Sequence, residues 1–310
     1  MIVASSLGRS FGSFVAVEDL SLSIERGEIF GFLGPNGAGK TTTIRMLTGL
    51  ISPTNGTAKV DELDVSNLRN IPKIHRNIGF LPEVPGLYEN LSAYRNLDFY
   101  GHLYGLEDPA LRERISSLMQ SFGLWDRRED LIQGFSKGMK QKIAIIRCML
   151  HDPEYLFLDE PVSGLDPEAS KTVRDFILEL KKNGKTVILS THNLDDADRL
   201  CDRVAVISKR LLALDTPRNL RTRMFKRTIV FHLKEADDSI LQKVKTLPFV
   251  ESAERSGSKL VLDVDNPEDE NPEILDLLVK SGYKVQFVGE VRHSLEEVYL
   301  KLVSGNGEKS

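Results

Sequence analysis

The sequence predicts an α/β fold built on a doubly wound parallel sheet. Apolar runs of strand length alternate with segments of helical spacing through about the first two thirds of the 310 residues, as in parallel α/β sheets. One run, 155–158, is apolar without alternation, which is typical of a central strand covered on both faces. A second run at 186–190 has the same character, and a glycine-rich loop at 34–41 joins a third run to a helix.

Five of the predicted strands lie in the first 83 residues. Period-two alternation indicates strands in residues 1–33, and a Pro-Thr-Asn-Gly cluster at 53–56 predicts a turn. A helix at 42–48 follows the glycine-rich loop and ends at Gly49. The predicted strands are residues 15–17, 20–24, 28–33, 57–60 and 78–83.

The chain changes character between residues 91 and 150. Three segments of helical spacing follow one another there, separated by glycines. They predict a helical subdomain of about residues 91–150, inserted into the α/β core. The predicted helices are residues 92–104, 109–122 and 137–150.

The α/β alternation returns after residue 150 and stops near Pro217, where the composition shifts. We therefore predict two domains, residues 1–217 and 218–310, the second a small α+β domain with a loop at 266–272. In the rest of the first domain we expect helices at 167–180 and 195–201 and a strand at 204–207. In the second we expect strands at 228–234, 259–265 and 284–288 and helices at 239–247, 272–282 and 294–303.

Composition excludes several classes of function. The net charge is −4 and the pI is about 5.9, so no basic excess points to nucleic acid. Cys148 and Cys201 have no metal-ligand spacing and suggest two buried thiols. No apolar run is long enough to span a bilayer, and no signal segment opens the chain. We expect a cytoplasmic protein that reaches a membrane only through a partner.

The loop at 34–41 fits the pattern Gly-x-x-x-x-Gly-Lys-Ser/Thr of the phosphate-binding P-loop. A strand, a glycine loop and a helix in this order gather backbone N–H groups and the positive helix end around one point. We predict that Lys40 reaches the β- and γ-phosphates of a nucleotide and that Thr41 binds Mg²⁺. The predicted nucleotide-binding residues here are Gly34, Pro35, Asn36, Gly37, Ala38, Gly39, Lys40, Thr41 and Thr42.

Carboxylates and a histidine follow the two buried strands. Asp159 and Glu160 end the first, and His192 follows the second. Ligands bind beyond the carboxyl ends of strands in such sheets, so we expect all three near the P-loop. Asp159 would hold Mg²⁺ through water, and Glu160 would orient and deprotonate the attacking water.

Four further residues each allow two interpretations. Ser136, with Gly138 after it, predicts either an ordinary capped helix or an anion site at a helix start. Asp166 is predicted to cap the helix that begins at Pro167, and this structural role does not exclude a functional one. Phe11 could stack on a base or could simply cover the sheet.

These motifs together resemble the ATP-binding subunit of ABC transporters over about residues 1–216. The loop at 34–41 is similar to the family's Walker A motif, and 155–159 with Glu160 is similar to its Walker B motif and catalytic carboxylate. Residues 163–166 resemble the D-loop, residues 135–141 stand at the signature motif, and His192 stands at the switch histidine.

Several positions depart from the family pattern. The signature reads Phe-Ser-Lys-Gly-Met, with Lys137 and Met139 where Gly and Gln are usual. Glu83 holds the Q-loop position in place of glutamine; its carboxylate still offers Mg²⁺ an oxygen. Phe11 stands where a tyrosine stacks on the base. Glu83, Lys137 and the extra C-terminal domain resemble the drug-resistance and sodium-extrusion exporters.

The resemblance implies how such a subunit works. Two cassettes, identical or paired, would form a head-to-tail dimer with ATP and Mg²⁺ between the P-loop of one and Ser136 of the other. The subunit would lie on the inner face of the cell membrane, on a separate permease of the type-2 export class, and power export. The alternatives are a soluble regulatory or ribosome-acting ATPase, and a module that binds ATP without turnover. The chain has a single P-loop and no sustained heptads, which counts against the first alternative. The presence of Glu160 and His192 counts against the second.

Overall fold

The computed structural model describes residues 1–291 and 294–307. The chain forms two compact units, Met1–Pro217 and Arg218–Ser310. The strands of the first unit are β1 (Ile2–Phe11), β2 (Phe14–Ile24), β3 (Ile29–Leu33), β4 (Asn55–Val60), β5 (Leu63–Asp64), β6 (Ile78–Leu81), β7 (Tyr155–Asp159), β8 (Thr186–Thr191), β9 (Arg203–Ser208) and β10 (Arg210–Asp215). Its helices are α1 (Lys40–Leu47), α2 (Ile71–Asn77), α3 (Ala93–Leu103), α4 (Ala110–Ser121), α5 (Lys137–Met149), α6 (Pro167–Lys182) and α7 (Leu194–Leu200).

A six-stranded sheet forms the centre of the first unit, in the order β10-β9-β3-β8-β7-β6. Its strands are parallel apart from β10, which pairs antiparallel with β9. The strands β3, β7 and β8 are buried along their whole length, which is why their sequences do not alternate. The predicted α/β class is confirmed.

A second sheet is antiparallel, in the order β2-β1-β4-β5. Its apolar face packs with side chains of the central sheet, such as Phe30 and Ile188, in one continuous core. Phe11 is the last residue of β1, and Gly12-Ser13 forms the turn that follows it. The strand β4 begins at Asn55, inside the predicted turn. The elements β5, β10 and α2 were not predicted, because short or half-exposed segments carry a weak periodic signal.

The helices α3, α4 and α5 lie in the long connection between the neighbouring parallel strands β6 and β7. Ser92 caps α3 by accepting a hydrogen bond from the Arg95 N–H at 3.2 Å. Buried Asn96 accepts a hydrogen bond from the Tyr88 N–H at 2.8 Å and donates one to its carbonyl at 2.9 Å. This amide therefore fixes the segment that leads from β6 into the helical insertion.

The second unit has a four-stranded antiparallel sheet in the order β12-β13-β11-β14. A core of apolar residues joins this sheet to two of its helices. The strands are β11 (Arg227–Leu233), β12 (Val250–Ser256), β13 (Lys259–Val264) and β14 (Val285–Val291). The helices are α8 (Pro217–Met224, which begins at the boundary), α9 (Asp238–Lys245), α10 (Pro267–Lys280) and α11 (Leu295–Gly307).

The predicted loop at 266–272 is wrong, because α10 begins at Pro267 and contains Pro272. Proline suits the first helical position, and three acidic residues in the first turn favour the positive helix end. Pro272 lacks one N–H, but the rest of the helix tolerates the loss near its start. The strand β12 was not predicted, since its outward residues are polar and its burial is slight.

Both cysteines are free and buried, as predicted. Burial raises the pKa of the Cys148 thiol to about 11 and raises the pKa of Cys201 well above its ordinary value. Both thiols are therefore protonated and unreactive near neutral pH. Within residues 1–291 and 294–307, no helix combines the length and the hydropathy needed to cross a bilayer.

Candidate functional site

The P-loop connects β3 to α1 with its tip, residues 35–37, exposed. Gly37 and Gly39 have φ values of 83° and 97°, in the region that only glycine enters without strain. A Cβ on Gly39 would lie 2.6 Å from the Ala16 carbonyl oxygen of β2. The loop therefore needs glycine for its dihedrals and for its close approach to β2.

Lys40 is the first residue of α1, and its side chain is buried. Its Nζ donates hydrogen bonds to the carbonyls of Gly34 at 2.6 Å and Pro35 at 3.2 Å. The same ammonium lies 3.4 Å from Oε1 of Glu160. A buried cation is thus held inside its own glycine loop, beside one carboxylate.

Glu160 has an unusual backbone conformation, and its two carboxylate oxygens have different surroundings. Its φ is 50°, a strained value for a residue other than glycine. Its N–H donates to the carbonyl and the hydroxyl oxygen of Ser190, at 3.2 and 3.1 Å. Oε2 lies 2.9 Å from Nδ1 of His192, while buried Oε1 has no hydrogen-bond partner within the residues that the structure describes. Its ion pair with Lys40 is thus the interaction that holds Oε1, and a buried oxygen without a hydrogen bond calls for a functional explanation.

Asp159 is 1% exposed and ends β7. Its Oδ1 accepts a hydrogen bond from the Ser190 hydroxyl of the neighbouring strand, because the two residues are directly paired in the parallel register. Sequence reasoning missed Ser190. The signal was available, since this polar residue follows an apolar run near the carboxyl end of β8, much as Asp159 does in β7.

The candidate metal ligands differ in burial. Thr41 and Thr42 are half-buried in the first turn of α1. Glu83 is exposed, two residues beyond the end of β6. Over residues 1–291 and 294–307, no three acidic, histidine or cysteine side chains form a metal cluster. This donor set fits Mg²⁺, which is usually bound by one or two protein oxygens, water and substrate phosphates.

Ser136, Gly138 and Asp166 share a second location, where α5 and α6 both begin. The hydroxyl of Ser136 caps α5 by accepting from the Met139 N–H at 3.2 Å. Asp166 caps α6 through the Ala169 N–H at 2.8 Å. Both capping predictions are confirmed. A Cβ on Gly138 would lie 2.8 Å from the Ala169 methyl carbon, so the two helix starts are in close contact.

Two side chains of α5 extend this contact toward Glu160. The amide of Gln141 donates to the Pro161 carbonyl at 2.8 Å. The ammonium of Lys137 lies against Gly164, on which a Cβ would be only 2.3 Å from Nζ. Both contacted residues lie within four positions of Glu160, so the start of α5 is tied to the segment that carries it.

A cavity of about 400 Å³ opens beside Glu160 and His192. The loop at 162–165 forms one side of it. On the other side Arg174 forms an ion pair of 2.6 Å with Asp196, which is almost completely buried. The cavity therefore leaves room for another group to approach the Glu160 carboxylate.

Phe11 lies apart from these carboxylates, at the tip of the β1–β2 hairpin. Its ring is 48% exposed, and the Arg9 guanidinium lies over it at 4.6 Å. The structure thus gathers Lys40, Glu160 and His192 at one corner and places the start of α5 and the aromatic hairpin at two others.

Comparisons with known proteins agree across both units. Residues 17–163 match the family described as ABC transporter. Residues 216–303 match the domain described as ATP-binding protein DrrA1-3-like, C-terminal domain.

Individual relatives cover much or all of the chain. The ABC transporter ATP-binding protein NatA of Bacillus subtilis is 42% identical over 62% of this chain and 78% of its own. The bacitracin transport ATP-binding protein BcrA of Bacillus licheniformis is 32% identical over 98% of both chains. A solved ATP-binding subunit of an ABC transporter superposes with a TM-score of 0.66 and 32% identity, covering 72% of this chain and 92% of its own.

Proposed function

Since the chain belongs to the ATP-binding proteins of ABC transporters, we propose that it binds and hydrolyses ATP where the P-loop meets Glu160 and His192. The observation that carries this proposal is Oε1 of Glu160, buried without a hydrogen-bond partner among the described residues and 3.4 Å from the Lys40 ammonium. Phosphates in the P-loop would take Lys40 away from its own carbonyls. Oε1 would then be available to a water molecule.

Each residue at this corner has a separate task. The Lys40 ammonium and the loop N–H groups neutralise the β- and γ-phosphates. Glu160 orients the attacking water and accepts its proton. His192 holds Oε2 at 2.9 Å, so the carboxylate keeps Oε1 toward the nucleotide. The strained backbone of Glu160 is fixed by two hydrogen bonds to Ser190.

Mg²⁺ would be held by Thr41 and by Asp159 through water, with Glu83 as a further oxygen. The ion would supply charge neutralisation at the phosphates. Asp159 is preorganised for this role, because Ser190 occupies Oδ1. Glu83 is exposed and reaches the site only if its loop closes over the nucleotide.

Phosphate release from ATP, measured with Mg²⁺ and with excess chelator, tests the activity. We expect turnover with Mg²⁺ alone and none in Lys40→Ala, because the phosphates then lose their buried counter-charge. The matched control is Lys59→Ala, an exposed lysine on β4. Equal turnover in the chelated and the Mg²⁺ samples would contradict the metal assignment.

We further propose that a second cassette completes the site. Ser136 is exposed at the start of α5, and the positive end of that helix would suit an anion that approaches there. The γ-phosphate bound by the partner's P-loop is that anion. Light scattering should show a dimer that forms with ATP and not with ADP. A chain that remains monomeric in saturating ATP, in the slow variant Glu160→Gln, would contradict this assembly.

The partner membrane permease would dock on an apolar surface of the helical insertion, the aromatic patch Val84, Tyr88, Phe99, Tyr100 and Leu103. Four of these side chains are between 41% and 75% exposed, and the three rings contact one another at 5.4 to 6.0 Å. Exposed apolar clusters of this kind mark interaction sites. Arg147 of α5 stiffens the patch, because it bonds the Pro85 carbonyl at 2.7 Å and lies over the Tyr100 ring.

This docking would attach the subunit to the inner face of the membrane, on a permease of the type-2 export class. The names of NatA and BcrA associate those relatives with ABC transport and bacitracin transport, and we propose export for this chain. A photo-crosslinker at Phe99 should capture an integral-membrane protein, whereas one at exposed Gln120 of α4 should not. Equal capture from both positions would contradict the assigned patch.

A further inference from the structure

We propose that Phe14 and Lys209 form a second wall of the base-binding site, next to Phe11. The inference rests on the proposed ATP binding and adds residues to it. Phe14 is 54% exposed and is paired with Phe11 across the β1–β2 hairpin. Directly paired residues of antiparallel strands point to the same face. The hairpin therefore presents two exposed aromatic side chains on one face of the sheet, a surface on which a purine can stack.

Lys209 connects this aromatic pair to the P-loop. Its N–H donates to the Ala38 carbonyl at 2.8 Å, and its own carbonyl accepts from the Glu18 N–H. Its ammonium lies 5.1 Å from the centre of the Phe14 ring. One residue thus contacts the phosphate loop, the strand β2 and the ring of Phe14.

The backbone of Lys209 supports a functional role. Six described residues other than glycine have positive φ, and four of them are serine or aspartate, short polar residues that tolerate this region better. The other two, Glu160 and Lys209, both border the P-loop. Lys209 has φ 59° at the one-residue corner between β9 and β10. Glycine would fit this corner without strain, so the lysine side chain has a reason to be there.

The distances suit a nucleotide. The P-loop approaches β2 at Ala16, two residues from Phe14 along the strand, so the rings stand about 7 Å along β2 from the phosphate site. A ribose fills that gap, and the base then reaches the rings. Lys209 fixes the ring of Phe14 by a cation–π contact and holds the hairpin at a fixed position relative to the P-loop. It is a positioning residue for the base.

Comparing the affinities for ADP and for inorganic pyrophosphate distinguishes base contacts from phosphate contacts. Both ligands fit the P-loop, and only ADP carries a base. We expect Phe14→Leu to weaken ADP binding roughly tenfold, the usual effect of losing one stacked ring. Lys209→Met should weaken it about two- to fivefold. Pyrophosphate affinity should not change in either variant, and calorimetric titration of the full chain measures all four values.

Two further variants distinguish the effect of the Lys209 ammonium from the effect of the Lys209 backbone conformation. Lys209→Gly keeps the corner and relieves its strain, so we expect the same weakening as in Lys209→Met. The double variant of Phe14→Leu with Lys209→Met should bind ADP as Phe14→Leu does, since the ammonium acts through the ring. Lys59→Met, an exposed lysine of the same β1–β2–β4 sheet, should match the parent.

Each other outcome overturns the inference. Parental ADP affinity in both single variants would show that the base lies elsewhere. Equal losses of ADP and pyrophosphate affinity would show that Lys209 only shapes the P-loop. A parent chain that binds neither compound would overturn the proposed function as well, so the two failures are distinguishable.

Discussion

The carboxyl-end corner of the central sheet and the start of α5 differ in how completely they are built. At the corner, the side chains of Lys40, Asp159 and Glu160 are almost completely buried. Lys40 forms an ion pair with Glu160, and Ser190 is hydrogen-bonded to Asp159 and to the Glu160 N–H. At the start of α5, Ser136 and Lys137 are exposed. Under the proposed function, the corner is the catalytic site, and the helix start supplies one half of a phosphate site that a second cassette completes.

Under the proposed function, the two places do different work within one cassette. Groups that handle a proton must be shielded and fixed, because a general base works from a defined position. Groups that hold a phosphate across a subunit interface must stay accessible until the partner arrives. Gln141 and Lys137 link the two places through Pro161 and Gly164, so a change at one can reach the other.

The largest expected effect comes from the corner itself. Glu160→Gln should lower ATP hydrolysis by roughly 10²–10⁴-fold, the usual contribution of a positioned general base, and leave ATP binding intact. The matched control is Glu154→Gln, an exposed glutamate at the other end of the same strand. Phosphate release measures the rate. Hydrolysis at the parental rate in the Gln variant would remove Glu160 from this role.

The next effect tests whether the start of α5 is an interface. Ser136→Arg should abolish the ATP-dependent dimer of the Glu160→Gln chain, since a cation would face the positive helix end and the partner's Lys40. Ser136→Ala removes the cap alone and costs about 1 kcal/mol of stability, so it should keep the dimer at high ATP. Light scattering distinguishes the two. Dimers of equal stability in the arginine and alanine variants would break the comparison.

A smaller effect tests the link between the two places. Gln141→Leu leaves the Pro161 carbonyl without its buried donor, which should cost about 1–3 kcal/mol in urea unfolding. Nucleotide binding at the P-loop should persist, because no P-loop contact is lost. Gln120→Leu, exposed on α4, is the control. If both leucine variants unfold at the parental urea concentration, the amide contact does not hold α5 to the corner.

The smallest effect concerns pH. His151 follows α5, stacks on Tyr104 at 3.8 Å and lies 2.9 Å from the Ile78 carbonyl, so it fastens the helical insertion to β6. Burial lowers the pKa of His151 below its ordinary value of 6.5, although the bond to Ile78 opposes the shift. The folded state therefore resists protonation. Its stability contribution is complete above about pH 6.5 and is lost as pH falls from there through the lowered folded-state pKa.

Hydrogen exchange should show this loss first in α3 and α5, and later in β3 and β8. His151→Gln should remove the dependence, whereas His102→Gln, on the exposed side of α3, should keep it. After correction for the pH dependence of intrinsic amide exchange, equal protection of the insertion at pH 7.5 and pH 5 would show that His151 does not control this contact.

The features that could be predicted from the sequence are local ones. The P-loop, the carboxylates at the end of β7 and the caps Ser136 and Asp166 are all encoded within a few consecutive residues. Backbone geometry over such short spans follows from glycine, capping residues and apolar periodicity. The parallel α/β class and the inserted helices followed from the same periodicity.

Contacts between residues far apart in the chain depend on the packing of whole elements. Ser190 reaches Asp159 because two parallel strands take one particular register. Lys209 meets Ala38 and Phe14 because β9 runs beside β3 and turns under the P-loop. Lys137 lies on Gly164 because two helix starts pack together. These contacts depend on how complete elements pack, and no short stretch of sequence contains the strand register or the helix contacts that create them.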